Sequence, residues 1–224
     1  MILTRTRNDR LPPPSLDIDE ASSCVVAAQT PEGPYYGDEP IVRSDLREGK
    51  AGMDLRLHLR VVDAATCRPL PNVAVDLWGC DAEGYYSGYA DANPNDIPFL
   101  TVLRGKVPPR TPGRAMRGRQ VSGTGGRVEF LTLYPGWYKP RTVHLHLRLT
   151  LDARTMVVTH LYFPQAVTDE IHATAPYRQR DPSPYNNDND GMINRYGGGA
   201  GFPAIKRMPD HYQAALAIAV DRHA

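Results

Sequence analysis

Apolar and polar residues alternate in several short segments, and this alternation is the strongest pattern in the chain. In the first segment, Leu55, Leu57, Leu59 and Val61 alternate with Arg56, His58 and Arg60. Side chains that alternate in this way lie on opposite faces of a β-strand, with the apolar face buried. The same period of two occurs in residues 73–77, 126–133, 143–149 and 156–163. Several short strands separated by turns predict an all-β fold, an antiparallel β-sandwich with long irregular loops and little helix.

Three parts of the chain lack this alternation or leave its meaning open. Residues 212–220 are compatible with a last strand or with a short helix, because alanines dominate the segment. Residues 90–114 and 176–203 are rich in Pro, Gly and Asp, and loops of this length in a compact domain are usually functional or disordered. We expect residues 1–29 to form a Pro-rich N-terminal arm and residues 30–224 to form one β-sandwich domain.

Composition and charge exclude several classes of protein. The formal net charge of +1 gives no reason to expect a nucleic acid or a membrane as partner. The first residues include arginines, but no apolar segment of about 7–15 residues follows, as a signal peptide would require. A cytoplasmic location is therefore expected. Three cysteines, Cys24, Cys67 and Cys80, are too few for a disulfide framework and leave one bridge open.

Two histidines on one predicted strand are the first candidates for chemistry. In residues 141–149, His144 and His146 fall on the face opposite the leucines. Two imidazoles on one face, two residues apart, can bind a single metal ion. The pattern is weak by itself, because both side chains could equally be solvated or hydrogen-bonded on an exposed sheet face.

Two tyrosines strengthen the case for a metal. Tyr138 lies in a turn rich in Pro and Gly, six residues before His144, and Tyr86 lies in a second aromatic cluster, residues 78–89. Phenolate is a hard anionic donor that suits ferric iron, and a Tyr with a free pKa of about 10 loses its proton only near strong positive charge. The preference of Tyr for strands and partly exposed surfaces explains most of the 12 tyrosines, but it does not account for Tyr86 and Tyr138.

Five stretches of the sequence resemble the intradiol ring-cleavage dioxygenases, the family of catechol 1,2-dioxygenase and protocatechuate 3,4-dioxygenase. The order of two tyrosines followed by Arg-x-x-His-x-His is the most specific part of the resemblance. The similar stretches are residues 30–36, 67–78, 81–89, 117–120 and 134–146. The chain is more similar to the compact single-domain branch of the family, since the helical N-terminal dimerisation segment of catechol 1,2-dioxygenases is not recognisable in it.

The resemblance implies a ligand set and two further site residues. Tyr86, Tyr138, His144 and His146 match the four protein ligands of one non-haem Fe(III) per chain. Arg141 matches the active-site arginine, which can stabilise negative charge on the bound substrate. Tyr138 is expected to act in catalysis as well. The next strand carries a departure, because His160 stands where the family usually has Gln; it is either a further catalytic group or an ordinary buried histidine.

The function implied by the resemblance is cleavage of a catechol-type ring by O2 between its two hydroxyls, giving a cis,cis-muconate-type diacid. The expected partners are a catechol-type small molecule and O2, and a homodimer formed through the N-terminal arm is a further expectation.

Two alternatives from other classes remain open. A non-catalytic β-sandwich module could bind an aromatic or carbohydrate ligand through its Tyr- and Trp-rich loops. A zinc hydrolase could use His144 and His146 with a carboxylate such as Asp81 or Glu83.

Two loop motifs suggest no ligand. Residues 186–191, Asn-Asn-Asp-Asn-Asp-Gly, lack the downstream Glu of a calcium-binding EF-hand loop and are interpreted as a polar loop. The glycine run at residues 197–201 is not followed by the Lys-Ser/Thr of a phosphate-binding loop.

Overall fold

Two four-stranded sheets form the framework of the protein. The computed structural model describes Cys24 and residues 26–37, 41–89, 107, 109 and 111–222. Along the chain the elements are β1 (Asp54–Asp63), β2 (Ala74–Trp78), β3 (Arg117–Val121), β4 (Arg127–Leu133), β5 (His144–Leu151), β6 (Arg154–Tyr162), α1 (Gln165–His172), a 3₁₀ turn (Tyr177–Gln179), α2 (Gly191–Tyr196), β7 (Ala204–Arg207) and β8 (Tyr212–Val220). The predicted all-β fold with little helix is confirmed.

The two sheets differ in strand order and direction. Sheet I has the order β4-β1-β8-β7, and sheet II has the order β3-β2-β5-β6. Every pair of neighbours is antiparallel except β1 and β8, which run parallel over nine residues. The segment that the sequence left open as strand or helix is therefore a strand. Its alanines allow it to lie flat in the sheet beside β1.

Leucines on the inner faces of the two sheets form the core. Three leucines of β1 and three of β5 are fully buried: Leu55, Leu57 and Leu59, and Leu145, Leu147 and Leu149. Burying a Leu side chain contributes about 1.5–3 kcal/mol, so this alternation fixes which face of each strand is inward. The polar residues of β5 must consequently lie on the outer face of sheet II.

Segments outside the strands depart from the sequence prediction in part. Helix α1 was not predicted, because only Thr168 and Ile171 of its eight residues are buried and the apolar pattern is correspondingly short. Residues 176–203 contain the 3₁₀ turn and α2. Most of the other long loop, residues 90–106, 108 and 110, lies outside the described residues. In the described parts of the chain, neither helix has the length or the apolar character needed to span a bilayer.

The end of the predicted N-terminal arm pairs with both sheets. Residues 1–23 and 25 lie outside the described residues. The Ala27 amide donates to the Ala219 carbonyl of β8 at 2.9 Å, and Gln29 Oε1 accepts a hydrogen bond from the Val158 amide of β6 at 3.0 Å. The cysteine question is answered by a disulfide between Cys24 and Cys67. The division at residue 29 stays a prediction.

Candidate metal centre

The outer face of sheet II presents the two histidines of β5. Strand β5 lies between β2 and β6, and His146 is paired across the sheet with Trp78 of β2 and His160 of β6. The Trp78 ring stacks on the His146 ring, with centroids 4.8 Å apart and an angle of 15° between the planes. Both β5 histidines are almost fully buried. Strand alternation therefore places them as predicted, and neighbouring strands and loops cover them.

Tyr138 reaches the same place from the turn that precedes β5. The Arg141 amide donates to the Tyr138 carbonyl at 2.8 Å, which closes the turn, and the Tyr138 hydroxyl lies 3.0 Å from His144 Nε2. The turn packs tightly against the loop that follows β2. A Cβ on Gly136 would come within 2.3 Å of the Ala82 carbonyl oxygen, so only glycine fits at this close approach.

Tyr86 comes from that second loop, which is held by the carboxylate of Asp81. Asp81 Oδ1 accepts hydrogen bonds from the amides of Glu83 and Tyr85 at 3.1 and 3.0 Å. Its other oxygen accepts from Lys50 Nζ at 3.0 Å. Asp81 thus has a structural role in this loop.

Aromatic packing fixes the Tyr86 ring. The Tyr35 ring stacks on it with centroids 4.4 Å apart and an interplanar angle of 19°. Both rings are buried, Tyr86 completely. The Tyr86 hydroxyl is thereby directed at His146 of β5.

Four donor atoms converge at this point. Tyr86 Oη lies 2.9 Å from Tyr138 Oη and 2.9 Å from His146 Nε2. Tyr138 Oη lies 3.0 Å from His144 Nε2, and the two imidazole Nε2 atoms are 3.1 Å apart. Two ligands bound at right angles to one ion, at about 2.1 Å each, lie about 3.0 Å from each other. The closed ring of four donors therefore has the spacing of one metal's ligands.

The protonation of His144 agrees with a metal-ligating role. His144 Nδ1 lies 2.7 Å from the Thr142 carbonyl oxygen, which can only accept a hydrogen bond, so Nδ1 carries the proton. The Nε2 lone pair of a neutral His144 is then directed at the cluster, as a metal ligand requires. Burial, followed by the nearby charge of Arg141, holds the pKa of His144 well below its usual range. The ring stays neutral and available for a cation.

The two tyrosines require a cation before they can ionise. Burial raises the pKa of Tyr86 well above its usual range, and burial also raises the pKa of Tyr138. A phenol in such a place loses its proton only when a strong positive charge is bound beside it. The donor set therefore suits a highly charged, hard ion better than a soft or weakly charged one.

Arg141 borders the donor cluster as a buried cation. Its Nη2 donates to the Tyr162 hydroxyl at 3.0 Å, and its Nη1 lies 3.5 Å from His144 Nε2. Burial opposes its charge, but Tyr138 and the carboxylate of Asp190 outweigh that effect and raise the pKa of Arg141. The guanidinium therefore remains charged beside the four donor atoms.

His160 is the third buried histidine of the site. Its ring lies 4.4 Å from the His146 ring and perpendicular to it, and its Nδ1 lies 3.2 Å from the Tyr162 hydroxyl. One donor atom each from His144, His146 and His160 falls within a 4.8 Å group that could also hold a metal. The tyrosine–histidine set is the tighter one, because its neighbouring donors are at most 3.1 Å apart. His160 therefore lies beside the four-donor cluster, as Arg141 does, and is not counted among its donors.

The site also contains residues that the sequence analysis did not identify. Tyr162 binds Arg141, Tyr35 stacks on Tyr86, and Asp190 forms an ion pair with Arg141 at 2.9 Å. Tyr162 could have been found, since it is two residues beyond His160 and shares its strand face. Asp190 lies 49 residues from Arg141, and no local pattern links the two.

Comparison with known proteins shows the family of the chain. A family model described as "Dioxygenase" matches residues 31–179. A curated relative, chlorocatechol 1,2-dioxygenase of Rhodococcus opacus, is 28% identical over 101 residues, which are 42% of this chain and 38% of the relative. The matched stretch thus spans well under half of that protein.

Solved structures extend the likeness to most of the chain. An intradiol ring-cleavage dioxygenase from Tetranychus urticae is 31% identical with a TM-score of 0.81, over 88% of this chain and 95% of that one. The dioxygenase domain of a fusion protein from Streptomyces sp. SirexAA-E shares the fold, with 22% identity and a TM-score of 0.62 over 88% of this chain and 99% of that one. The chain belongs to the intradiol ring-cleavage dioxygenases.

Proposed function

We propose that the protein cleaves a catechol-type ring with O2 between its two hydroxyl-bearing carbons, using one Fe(III) held by Tyr86, Tyr138, His144 and His146. The product is a cis,cis-muconate-type diacid, in which both oxygen atoms of O2 are retained. The observation that carries the proposal is the closed ring of four donor atoms, whose neighbouring members lie 2.9–3.1 Å apart.

The chemistry of the donors favours ferric iron over zinc. Zinc sites are built mainly from Cys, His and carboxylates. Here the oxygen donors are two phenols, and the nearest carboxylate considered for a zinc site, Asp81, is bound to loop amides and Lys50. Two phenolates and two neutral imidazoles carry a net charge of −2, which stabilises the higher oxidation state of iron.

The role of the metal follows from its charge. When bound, a ferric ion supplies Lewis acidity and accepts electron density from a chelated catecholate, which makes the ring reactive toward O2. The protein holds the donors rigidly and excludes water, with Trp78 stacked on His146 and Tyr35 stacked on Tyr86. A dry and preorganised site strengthens the electrostatic effects of its fixed charges.

Tyr138 and Arg141 are the two residues proposed to act on the substrate. Tyr138 is the less enclosed of the two tyrosines, with 9% of its surface exposed against none for Tyr86, and its phenolate oxygen can receive a proton from an incoming catechol. Arg141 stays protonated and stabilises the negative charge that develops on the ring oxygens and the attacked carbon. His160 and Tyr162 provide further hydrogen-bonding groups at the same border.

We propose only the class of substrate, which is defined by an aromatic ring with two adjacent hydroxyls. Similar structures include a hydroxyquinol 1,2-dioxygenase and 3-chlorocatechol and catechol 1,2-dioxygenases, and these share the fold at 18% identity. The substrates in the names of these enzymes share a ring with two adjacent hydroxyls. We therefore propose a catechol-type substrate and assign no substituent to it.

The non-catalytic binding module is the second candidate. Loops rich in Tyr and Trp favour it, because such side chains stack on aromatic or carbohydrate ligands. It gives no reason for the two β5 histidines to lie with two phenols at metal-ligand spacing in a buried site. Ligand binding without O2 consumption would identify this function.

Three further expectations remain proposals. They are the arm over residues 1–29 with a catalytic domain over 30–224, a homodimer formed through that arm, and a cytoplasmic location. The Cys24–Cys67 bridge weakens the last, because disulfides persist mainly in oxidising compartments. Thiol titration of the denatured, unreduced protein counts one thiol, Cys80, if the bridge is present in the natural protein and three if it is not.

Oxygen uptake with a small panel of catechols tests the proposed function. The panel contains catechol, chlorocatechol, protocatechuate and hydroxyquinol, with resorcinol as the matched control whose hydroxyls are not adjacent. We expect one O2 consumed per ring cleaved and a product with the absorption of a muconate. Uptake without ring cleavage, or cleavage beside rather than between the hydroxyls, would contradict the proposal.

A further inference from the structure

The loop of residues 186–191, which suggested no ligand in the sequence, reaches the metal centre through Asp190. The Asp190 side chain is completely buried. Its Oδ2 accepts hydrogen bonds from Arg141 Nε at 2.9 Å and from the Thr142 amide at 2.8 Å. Its Oδ1 accepts from the amides of Met192 and Ile193 at 2.8 and 3.0 Å. One carboxylate thus joins the active-site arginine to the start of α2.

A second side chain ties the same loop to both strands of the site. Asn187 Oδ1 accepts from the Thr142 hydroxyl at 3.0 Å, just before β5. Asn187 Nδ2 donates to the Phe163 carbonyl at 2.8 Å, just after β6. The loop therefore bridges the beginning of the strand that carries His144 and the end of the strand that carries His160.

The ion pair uses only the Nε side of the Arg141 guanidinium and leaves its two NH2 groups available for other contacts. Arg141 Nε is bound to Asp190, whereas Nη1 and Nη2 are directed toward His144, His160 and Tyr162. An arginine has many rotamers and must be held by its surroundings if its charge is to be placed accurately. A desolvated carboxylate with four donors, itself fixed at a helix N-cap, provides such an anchor.

We propose that Asp190 is the positioning residue for Arg141, so that the 186–191 loop sets where the cation lies relative to the substrate. The inference rests on the proposed function, because it assigns Asp190 a role in that reaction. The Asp190 carboxylate binds Arg141 and the amides of Thr142, Met192 and Ile193, and its proposed role in the reaction is exerted through Arg141. A displacement of about 1 Å in a catalytic group can cost about 100-fold in rate, so loss of this anchor should be seen mainly in turnover.

The competing explanation is that Asp190 merely caps α2. The two carboxylate oxygens of Asp190 have different partners, since Oδ1 binds the helix amides and Oδ2 binds Arg141. The capping role and the positioning role can therefore be tested separately. Asp190→Asn retains a side-chain oxygen for the cap, and Asn is as good an N-cap residue as Asp. It places an NH2 group opposite the Arg141 Nε–H and removes the charge. A purely structural cap would therefore tolerate Asp190→Asn.

A double-mutant cycle measures the positioning role. Arg141→Ala, Asp190→Asn and the double variant are compared with the iron-loaded parent for iron content, kcat and KM. We expect Asp190→Asn to keep its iron and lose about 100-fold in kcat. We expect the double variant to be no slower than Arg141→Ala alone, because both changes remove the same placed charge. Asp190→Glu should recover part of the loss.

Asp76→Asn is the matched control, since Asp76 is also a buried carboxylate on sheet II paired with an arginine. Asp76 accepts from Arg119 Nε at 2.5 Å and from Nη2 at 2.7 Å. We expect this variant to lower the melting temperature without changing kcat beyond about twofold. If Asp190→Asn does not fold, Asn187→Ala replaces it, and we expect about a tenfold loss of kcat with iron retained.

The outcomes separate this inference from the proposed function. Rate losses that multiply in the double variant, or a folded Asp190→Asn protein with the kcat of the parent, would overturn the role of Asp190. So would a kcat loss in Asp76→Asn equal to that in Asp190→Asn, since it would mark a general loss of stability. Failure of the proposed function is seen instead in the unsubstituted protein, as a colourless preparation without O2 uptake.

Discussion

Strands β1 and β5 have nearly the same sequence pattern but different chemistry. Each alternates buried leucines with histidine and arginine, and each places those polar residues on the outer face of its sheet. On β1 the histidine is His58, whose Nδ1 lies 3.4 Å from Glu129 Oε1, and neither of its ring nitrogens makes a hydrogen bond to the described residues. On β5 the histidines meet two phenols at 2.9–3.0 Å.

The difference between the two strands arises from what lies above them. The residues beside His58 in its sheet are Arg56, Arg60, Glu129 of β4 and Ala215 of β8, and none of these is a phenol or an imidazole. Above β5, two loops rich in Gly and aromatic residues bring Tyr86 and Tyr138 over the sheet. Strand alternation therefore decides which side chains share a face, and the covering loops decide whether that face can bind a metal.

Removing one histidine from each strand should give the largest contrast. His146→Ala deletes a proposed iron ligand. Loss of a residue that only hydrogen-bonds to a metal ligand already costs about 10- to 100-fold in metal affinity, so we expect iron and activity to be lost together. His58→Ala is the matched control on sheet I and should keep both. Metal analysis and O2 uptake on the two purified variants measure this. An iron-loaded, active His146→Ala protein would refute the ligand assignment.

Removing one arginine from each region should give the next largest effect. Arg141→Ala deletes the buried cation at the border of the centre, and we expect kcat to fall about 100- to 1,000-fold while most of the iron is kept. Arg56→Ala, on the outer face of β1, should change neither quantity. Steady-state O2 uptake and metal analysis provide the test. Unchanged turnover in Arg141→Ala would show that its charge has no role in the reaction.

Substitution of two tyrosines, one at a time, tests the proposed phenolate ligands. It should change the iron content less than the histidine substitution does. Tyr138→Phe removes one donor and one phenolate-to-iron charge transfer, so we expect partial iron retention and a shifted visible band. Tyr134→Phe is the control, because the Tyr134 hydroxyl is buried but binds Thr168 at 2.6 Å, away from the centre. Visible spectra of both variants at equal iron content show the difference. An unchanged band in Tyr138→Phe would exclude it as a ligand.

The smallest expected effect is a loss of protein stability at acid pH that arises from His58 of sheet I. Burial holds the pKa of His58 below its usual value, although Glu129 opposes this shift. The neutral ring therefore stabilises the fold above the unfolded-state pKa of about 6.5, and this contribution is lost as the pH falls below that value toward the folded-state pKa.

His58→Gln isolates this contribution, because the other buried histidines titrate equally in both proteins. We expect its free energy of unfolding to fall less steeply between about pH 6.5 and pH 5 than that of the parent. Chemical denaturation at several pH values measures the slopes. Equal slopes in the two proteins would contradict the depressed pKa of His58.

The parts of the fold that the sequence predicted were those governed by local alternation. The alternation of apolar and polar residues predicted β1, β2, β4, β5 and β6 with errors of a few residues at their ends, and it placed His144 and His146 on one face. The parallel pairing of β1 with β8 was not predicted, because it joins segments about 150 residues apart and alanine has little strand preference.

The parts of the site that were missed depend on contacts between distant segments. Tyr86 and Tyr138 were found from their aromatic, Gly-rich surroundings and the family resemblance, but their separation of 2.9 Å depends on the close packing at Gly136. Asp190 was interpreted as part of a polar loop, since nothing near it in the sequence indicates that it is buried against Arg141. Local patterns identify candidate donors, whereas their partners follow from tertiary packing.

Metal analysis of the purified, catalytically active protein, combined with its visible spectrum, tests the central claim most directly. The account predicts one iron per chain and a charge-transfer band in the visible that gives the protein a burgundy colour. It also predicts that removing the iron abolishes ring cleavage and that adding ferric or ferrous iron under air restores both colour and activity. An active preparation that is colourless and free of iron would contradict it.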